Sequence, residues 1–155
     1  IMLGYLLNDN PGVLVPPASE PGEGWYDTGD IVEIDGDGYV RICGRAKRFA
    51  KIGGEMVSLA AVEDLASRTW PGAQHAAVTM PDPQKGEQLV LVTESAEAKR
   101  TDLLATAKAE GVAEINVPRK IIKASSIPLL GTGKIDYGKV RALVEDEFGL
   151  KESAA

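Results

Sequence analysis

The sequence predicts a small α+β fold in which a β-hairpin and a three-stranded sheet are flanked by helices, and three observations lead to this class. Residues 8–24 are dense in proline and glycine, which predicts irregular surface chain ahead of the first regular elements. Two glycine-rich turns then interrupt strand-like runs, which predicts hairpins. After them, helical apolar spacing and β-branched runs follow in the order helix, strand, strand, helix, strand, helix. This order fits a layered α+β domain.

The first half of the chain is predicted to form two hairpins. Strand-like runs at 31–34 and 39–43 enclose the sequence Asp-Gly-Asp-Gly, which is a strong turn signal. A shorter hairpin is expected over 49–57, with its turn at Gly53-Gly54.

Three helices and three further strands are expected in the second half. Ser58 can cap a helix over 59–69, because its hydroxyl can accept a hydrogen bond from the first turn, and Asp136 can cap the last helix in the same way. The middle helix is predicted to begin at Thr101 and to end at Gly111. The predicted strands are 73–80, 88–93 and 119–123.

The bulk composition bears on the class of function. The 155 residues carry a formal net charge of −6, which argues against a general nucleic-acid-binding protein. A single cysteine rules out an intrachain disulfide and fits a reducing compartment. No apolar stretch approaches the length of a transmembrane helix. The chain begins with Ile1 instead of methionine, so we expect it to be a piece of a longer protein.

The first segment with chemical potential is Gly24 to Asp30, which reads Gly-Trp-Tyr-Asp-Thr-Gly-Asp. A carboxylate held on a tight Thr-Gly turn can accept two hydrogen bonds from a vicinal diol such as that of ribose. The same residues also suit an Asx-type turn that leads into a strand. Taken alone, the segment is more typical of an Asx-type turn with no binding role than of a ribose-binding carboxylate.

The second segment is basic and lies beside a glycine pair. Four cations, Arg45, Lys47, Arg48 and Lys51, fall within seven residues. Such a cluster can approach phosphates or receive an acidic partner protein. A charge run is also typical of a solvated surface. The spacing alone leaves these interpretations open.

The third segment reads Pro-Leu-Leu-Gly-Thr-Gly-Lys-Ile over 128–135. It differs from a nucleotide-binding P-loop, because Pro128 replaces the first glycine and Ile135 replaces the Ser or Thr that follows the lysine. What remains is a flexible glycine loop that presents Lys134. This ammonium could neutralise charge that develops between a carboxylate and a phosphate. On this segment alone, however, an ordinary loop lysine before a helix is the favoured interpretation.

No metal site is expected from the sequence. His75 is the only histidine, so a pair of histidine ligands is impossible. The acidic residues of 33–38 imitate the start of a calcium loop, but Gly44 occupies the position of the required terminal glutamate.

Together, the order and spacing of the three segments resemble the C-terminal third of the adenylate-forming superfamily, which includes acyl-CoA synthetases, peptide-synthetase adenylation domains and luciferases. The resemblance implies that 1–46 is the tail of a large adenylation domain, that 47–150 is a small C-terminal lid domain, and that 151–155 is a frayed tail. Residues 44–58 and 128–134 look most like the bifunctional acyl-[acyl-carrier-protein] synthetase / 2-acylglycerophosphoethanolamine acyltransferase branch.

The resemblance also implies roles for individual residues. Asp30 would bind the ribose hydroxyls of ATP and acyl-AMP, and Arg45 would lie near the ribose and phosphate. Lys47 would be the hinge about which the lid rotates between two half-reactions. Lys134 would be the catalytic residue that bridges the attacking carboxylate and the α-phosphate.

The hairpin turn would serve the second half-reaction. Gly53 and Gly54 would face the phosphopantetheine thiol of acyl carrier protein or of CoA. Arg48 and Lys51 are expected to add exposed positive charge that attracts the acidic carrier protein. CoA-using acetyl synthetases of the superfamily often carry an arginine where this chain has Met56, which weakens the case for binding CoA phosphates and leaves room for a carrier protein.

The implied parent enzyme activates a fatty acid with ATP and Mg²⁺, which bind with the missing large domain, and then acylates the carrier protein. In the bifunctional branch, the acyl group passes on to a lysophospholipid. No nucleic acid partner is expected. This domain is expected in the cytoplasm, with the parent associated with the bacterial inner membrane through its missing regions, and the isolated chain is expected to be inactive.

Two alternatives to this function remain open. The first is the lid of an acyl-CoA or aryl-CoA ligase of the same superfamily. The second is a non-catalytic module that docks a carrier protein through the basic hairpin. The presence of both Asp30 and Lys134 speaks against the second, because docking requires neither residue.

Overall fold

A computed structural model of the protein describes residues 3–149, which divide into two compact units at the Lys47–Arg48 peptide bond. This division lies one residue beyond the domain boundary expected from the resemblance, whose domain assignments stay predictions. The frayed tail expected at 151–155 lies outside the described residues.

The first unit consists of three antiparallel pairs of strands. The paired strands are β1 (Tyr5–Leu6) with β2 (Leu14–Val15), β3 (Ala18–Ser19) with β4 (Gly22–Glu23), and β5 (Asp30–Ile34) with β6 (Val40–Arg45). The β5–β6 hairpin was predicted. The other two pairs were not predicted, because strands of two residues are too short to show an alternating pattern, and β2, β3 and β4 fall where irregular chain was expected.

Much of the apolar surface of the first unit is exposed. The large apolar residues with at least two thirds of their surface exposed are Leu3, Leu6, Ile34, Tyr39 and Ile42. Apolar side chains stabilise a fold mainly when they are removed from water, so these contribute little to the stability of this unit.

The second unit is a five-stranded sheet covered by helices on both faces. Its strands are β7 (Phe49–Ile52), β8 (Glu55–Ser58), β9 (His75–Asp82), β10 (Gly86–Thr93) and β11 (Lys120–Lys123). Its helices are α1 (Leu59–Thr69), α2 (Arg100–Ala109) and α3 (Tyr137–Glu147). The sequence-based α+β class is confirmed by this architecture and by the solved structures that it resembles.

Side chains that alternate along β9 and β10 build a separate core on each face of the sheet. Ala77, Leu89 and Leu91 pack with α1 and α2, whereas Val78 and Val90 belong to the core beneath α3. Because successive side chains of a strand point to opposite faces, a strand covered on both sides is apolar at every position. This explains the run Leu-Val-Leu-Val in β10.

The predicted helix caps are present. Ser58 Oγ accepts a hydrogen bond from the Ala61 amide at 3.3 Å, and Asp136 Oδ1 accepts one from the Lys139 amide at 3.1 Å. Within residues 3–149, no helix is long and apolar enough to span a bilayer.

The second unit differs from the prediction in how its sheet is assembled. The prediction named the β7–β8 hairpin and a three-stranded sheet as two elements, whereas Ile52 pairs with Gly86 at the start of β10. The Gly53 amide also donates to the Lys85 carbonyl at 3.0 Å. These few hydrogen bonds join the hairpin to β9, β10 and β11 in one sheet.

A buried histidine links α1 to the sheet. His75 is 5% exposed, and its two ring nitrogens lie 3.2 Å from the Trp70 carbonyl oxygen and 2.8 Å from the Thr93 hydroxyl. Because a carbonyl can only accept, Nε2 must carry the proton, and Nδ1 accepts from Thr93. Burial lowers the pKa of His75 below its usual value of 6.5, although the charges of Glu63 and Glu94 oppose this shift.

The lowered pKa of His75 predicts a loss of stability in mild acid. Below pH ~6.5 the unfolded chain binds a proton that the folded chain resists, so the free energy of unfolding should fall as the pH drops from that value towards the folded-state pKa. The slope is at most ~1.4 kcal/mol per pH unit for one proton. Urea denaturation at pH 7.5 and 5.5 should show this loss for the native chain and a smaller one for His75→Gln. Equal losses in the two proteins would contradict this origin.

Candidate functional site

Asp30 and Arg45 form an ion pair in the first unit, where they face each other across β5 and β6. Arg45 Nε lies 2.8 Å from Asp30 Oδ1, and Arg45 Nη1 also donates to the Thr28 carbonyl oxygen. The Asp30 side chain is 17% exposed and that of Arg45 is 63% exposed. The arginine thus orients a largely buried carboxylate, and the second oxygen of that carboxylate is suited to accept a hydrogen bond from a hydroxyl.

The turn that precedes Asp30 is held by its own side chains. Asp27 Oδ1 accepts from the Gly29 amide at 2.7 Å, and Thr28 Oγ1 accepts from the Asp30 amide at 3.2 Å. Gly29 has a φ of +67°, which glycine adopts at little cost. The Asx-type turn is therefore present and positions Asp30, so the two interpretations of this segment are compatible.

Lys47 occupies the junction between the two units. It is exposed within a short 3₁₀ turn, Ala46–Arg48, that follows β6 directly. A short turn contains few hydrogen bonds to break, so such a position can absorb a change in backbone angles. The hinge role itself stays a prediction.

The predicted glycine turn forms the tip of the β7–β8 hairpin. Gly53 and Gly54 have φ values of +58° and +94°, the pair of positive angles found in tight hairpin turns. Both glycines are exposed, and so are Lys51 and Met56 on the adjoining strands. The tip therefore offers bare backbone with a cation and a thioether beside it.

The loop that carries Lys134, which was expected to be flexible, closes into a hydrogen-bonded hairpin. The Leu130 amide donates to the Lys134 carbonyl at 2.7 Å, and the Gly133 amide donates to the Leu130 carbonyl at 2.9 Å. Leu129 and Ile135 form a β-bridge below the turn, and Gly133 has the positive φ that this turn requires, +79°. Lys134 is thus exposed on an ordered support immediately before α3.

The expectation that Arg48 adds exposed positive charge is wrong. Its side chain is only 19% exposed, and Nη2 donates to Glu63 Oε1 at 2.6 Å. Nη1 donates to the Ala77 carbonyl at 2.9 Å, and the guanidinium lies 3.7 Å from the centre of the Tyr137 ring. Arg48 turns inward because these groups satisfy its charge, whereas Lys51 remains at the surface.

Glu63 and Tyr137 were not identified from the sequence. The Tyr137 hydroxyl lies 3.1 Å from Glu63 Oε1, which also accepts from the Ala77 amide at 2.8 Å. Burial and the charge of Glu63 raise the pKa of Tyr137 to about 12, so it is a neutral donor at physiological pH. One signal was available, because Glu63 falls on the apolar face that Leu59 and Val62 define, where a charge requires a partner.

The predicted site residues therefore fall into separate groups. Asp30 and Arg45 lie together in the first unit, whereas Lys134 and the Gly53-Gly54 turn belong to the second. Among residues 3–149, no group of three or more His, Cys, Asp or Glu side chains could hold a metal ion.

The chain is similar to ligases that act on aromatic and fatty acids. It is 32% identical to the peroxisomal trans-cinnamate:CoA ligase of Petunia hybrida, in an alignment that covers 99% of this chain and 26% of that protein. Among solved structures, a Mycobacterium tuberculosis fatty acyl CoA synthetase matches with a TM-score of 0.64 and 31% identity, over 80% of this chain and 25% of that one. ATP-bound MatB from Rhodopseudomonas palustris matches with a TM-score of 0.68 and 25% identity, over 84% and 26%.

The matches cover most of this chain but only part of each relative. The chain spans about a quarter of the length of the curated relatives it matches. No family model matches it. The similarity nonetheless extends through most of this chain, and the solved structures reproduce its fold. The chain therefore belongs to the adenylate-forming superfamily and corresponds to the C-terminal portion of its acyl- and aryl-CoA ligases.

Proposed function

We propose that this chain is the mobile C-terminal part of an ATP-dependent acid–thiol ligase. In the first half-reaction, a carboxylate oxygen attacks the α-phosphorus of ATP, and pyrophosphate leaves. In the second, a thiol attacks the acyl carbon of the acyl-AMP, loses its proton, and AMP leaves. The observation that carries the proposal is an exposed ammonium, Lys134, on an ordered hairpin of a chain homologous to such ligases.

Lys134 serves the first half-reaction. A carboxylate and a triphosphate repel each other, and negative charge accumulates around the α-phosphorus as they meet. An ammonium placed at this point stabilises the transition state more than the separate reactants. The hydrogen-bonded hairpin limits the conformational freedom that Lys134 would otherwise lose on reaching the substrate.

Asp30 holds the nucleotide in the proposed enzyme. Its carboxylate, which Arg45 Nε orients at 2.8 Å, accepts hydrogen bonds from the ribose hydroxyls of ATP. The Mg²⁺ expected with ATP is not assigned to any residues of this chain.

Lys47 lets the lid adopt a different orientation for each half-reaction. The proposed rotation takes Lys134 away after acyl-AMP forms and brings the Gly53-Gly54 turn towards the acceptor thiol. Exposed glycines suit this role, because a turn without side chains leaves space for a narrow phosphopantetheine arm.

CoA is the acceptor thiol that the relatives favour. Several of the similar proteins are named for CoA thioesters of aromatic or fatty acids, and the proposed substrate is an acid of one of these two classes. Acyl carrier protein is a second candidate, supported by the resemblance of residues 44–58 and by the exposed Lys51. The expected transfer to a lysophospholipid stays a prediction.

Charge reversal at Lys51 distinguishes the two acceptors. If an acidic carrier protein docks at this hairpin, Lys51→Glu in the full-length enzyme should raise the KM for the carrier protein several-fold at low salt. The effect should shrink at high salt. The KM for CoA should change less. Lys108→Glu, a matched reversal at an exposed lysine on α2, should leave both values unchanged. An unchanged carrier KM in Lys51→Glu would remove this support for the carrier protein.

The overall activity can be tested directly. The full-length enzyme should release pyrophosphate from ATP in the presence of a fatty or aryl acid, and it should form a thioester when CoA or holo carrier protein is added. Acid-dependent ATP cleavage to ADP and phosphate would contradict the proposal, because an acyl phosphate mechanism would then operate.

A further inference from the structure

Arg48 is the first residue of the second unit, and its side chain joins three elements of that unit in a cluster with Glu63 and Tyr137. Its guanidinium pairs with Glu63 of α1, donates to Ala77 of β9 and stacks on Tyr137 of α3. The pair is close, at 2.6 Å, and both side chains are less than a fifth exposed. A charge pair that is largely shielded from water keeps its geometry better than a surface pair does.

Tyr137 connects this cluster to the hairpin of Lys134, because only Ile135 and Asp136 separate the two residues along the chain. Ile135 is bridged to Leu129, and the Asp136 amide donates to the Pro128 carbonyl at 2.9 Å. Tyr137 then begins α3, and it lines the same open depression as Lys134. The backbone between the two side chains is therefore held by hydrogen bonds along its whole length.

We propose that Arg48, acting with Glu63 and Tyr137, is a positioning residue that sets the place of Lys134 relative to the junction at Lys47. This inference rests on the proposed function of the lysine. Arg48 directly follows the junction, so a movement there reaches the Lys134 hairpin through one ion pair and one ring contact. The cluster makes the second unit turn as one body.

The effect of such a cluster on rate comes from geometry. A misplacement of about 1 Å can cost ~10²-fold in a reaction that depends on alignment. Lys134 has a long side chain, so a small rotation of its hairpin displaces the ammonium by a larger distance. Acyl-AMP formation should depend on this alignment, whereas acyl transfer proceeds without the lysine.

The test uses two variants of the full-length enzyme. Tyr137→Phe keeps the ring under the guanidinium and removes the bond to Glu63. The double replacement Arg48→Met with Glu63→Gln removes both charges, so neither is left buried without a partner. Each is expected to lower kcat for acyl-AMP formation, about tenfold in the double replacement, and to leave the rate of thioester formation from supplied acyl-AMP within about twofold. Equal losses in both half-reactions would overturn the proposal.

A double-mutant cycle with Lys134→Ala separates positioning from a general structural role. If the cluster acts through Lys134, the double replacement should cost less than about twofold once the lysine is absent. A full tenfold cost in that background would overturn the proposal, since the cluster would then act without the lysine.

The same cycle distinguishes this inference from the proposed function. Lys134→Ala alone reports on the lysine, and normal acyl-AMP formation in that variant would refute the proposed function. A crippled Lys134→Ala enzyme combined with additive losses would refute the positioning role alone.

Discussion

Lys134→Ala in the full-length enzyme is expected to lower the rate of acyl-AMP formation by ~10²–10³, the usual cost of removing one contact that stabilises transition-state charge. Thioester formation from supplied acyl-AMP should be largely spared, because the proposed lid rotation moves the lysine away for that step. The exposed side chain contributes little to folding, so the stability of the variant should be nearly unchanged. Pyrophosphate exchange and single-turnover thioester formation measure the two steps separately.

Lys139→Ala is the matched control for this variant. Lys139 is also an exposed lysine, and it forms an ion pair with the neighbouring Asp136, at 3.6 Å. Its removal should leave both half-reactions unchanged. Near-normal pyrophosphate exchange in a folded Lys134→Ala enzyme would refute the role of Lys134.

Glu63→Ala is expected to cause a large loss of stability. The Glu63 carboxylate accepts hydrogen bonds from Arg48, the Ala77 amide and the Tyr137 hydroxyl, and it is 17% exposed. Its removal leaves a largely shielded guanidinium and a buried strand amide without their acceptor, which should lower the free energy of unfolding by about 2–4 kcal/mol. Urea denaturation followed by circular dichroism measures this change.

Glu145→Ala provides the comparison for an ion pair in water. Glu145 pairs with Arg141 one helical turn away at 2.9 Å, and both side chains are more than a third exposed. Its loss should cost no more than about 0.5 kcal/mol. If Glu63→Ala cost as little as this control, the cluster would not hold the second unit together.

Local chemistry explains why so much of the fold could be predicted. Ser58 and Asp136 cap their helices with side-chain oxygens that reach only a few residues ahead, so the sequence itself contains the evidence. The Gly53-Gly54 turn and the first hairpin depend on glycine conformations that are equally local. The superfamily was recognised in the same way, from motifs that each lie within one short segment.

The errors arose from contacts between distant parts of the chain. A run of cations is typical of a solvated surface, and its spacing gives no sign that Arg48 turns inward to Glu63 and Tyr137. The hydrogen bonds that close the Lys134 hairpin were also not predicted, because its glycines gave no sign of them. The pairing of Ile52 with Gly86 joins segments that have no common pattern.

The path of one oxygen atom tests most directly whether the parent enzyme joins acid and thiol through an acyl-AMP. The full-length enzyme would be supplied with its acid labelled with ¹⁸O in the carboxylate, together with ATP and the acceptor thiol. A carboxylate oxygen that attacks the α-phosphorus stays on that phosphorus when the thiol displaces AMP. We therefore expect one ¹⁸O in the released AMP and none in pyrophosphate. Unlabelled AMP, or label in inorganic phosphate, would contradict it.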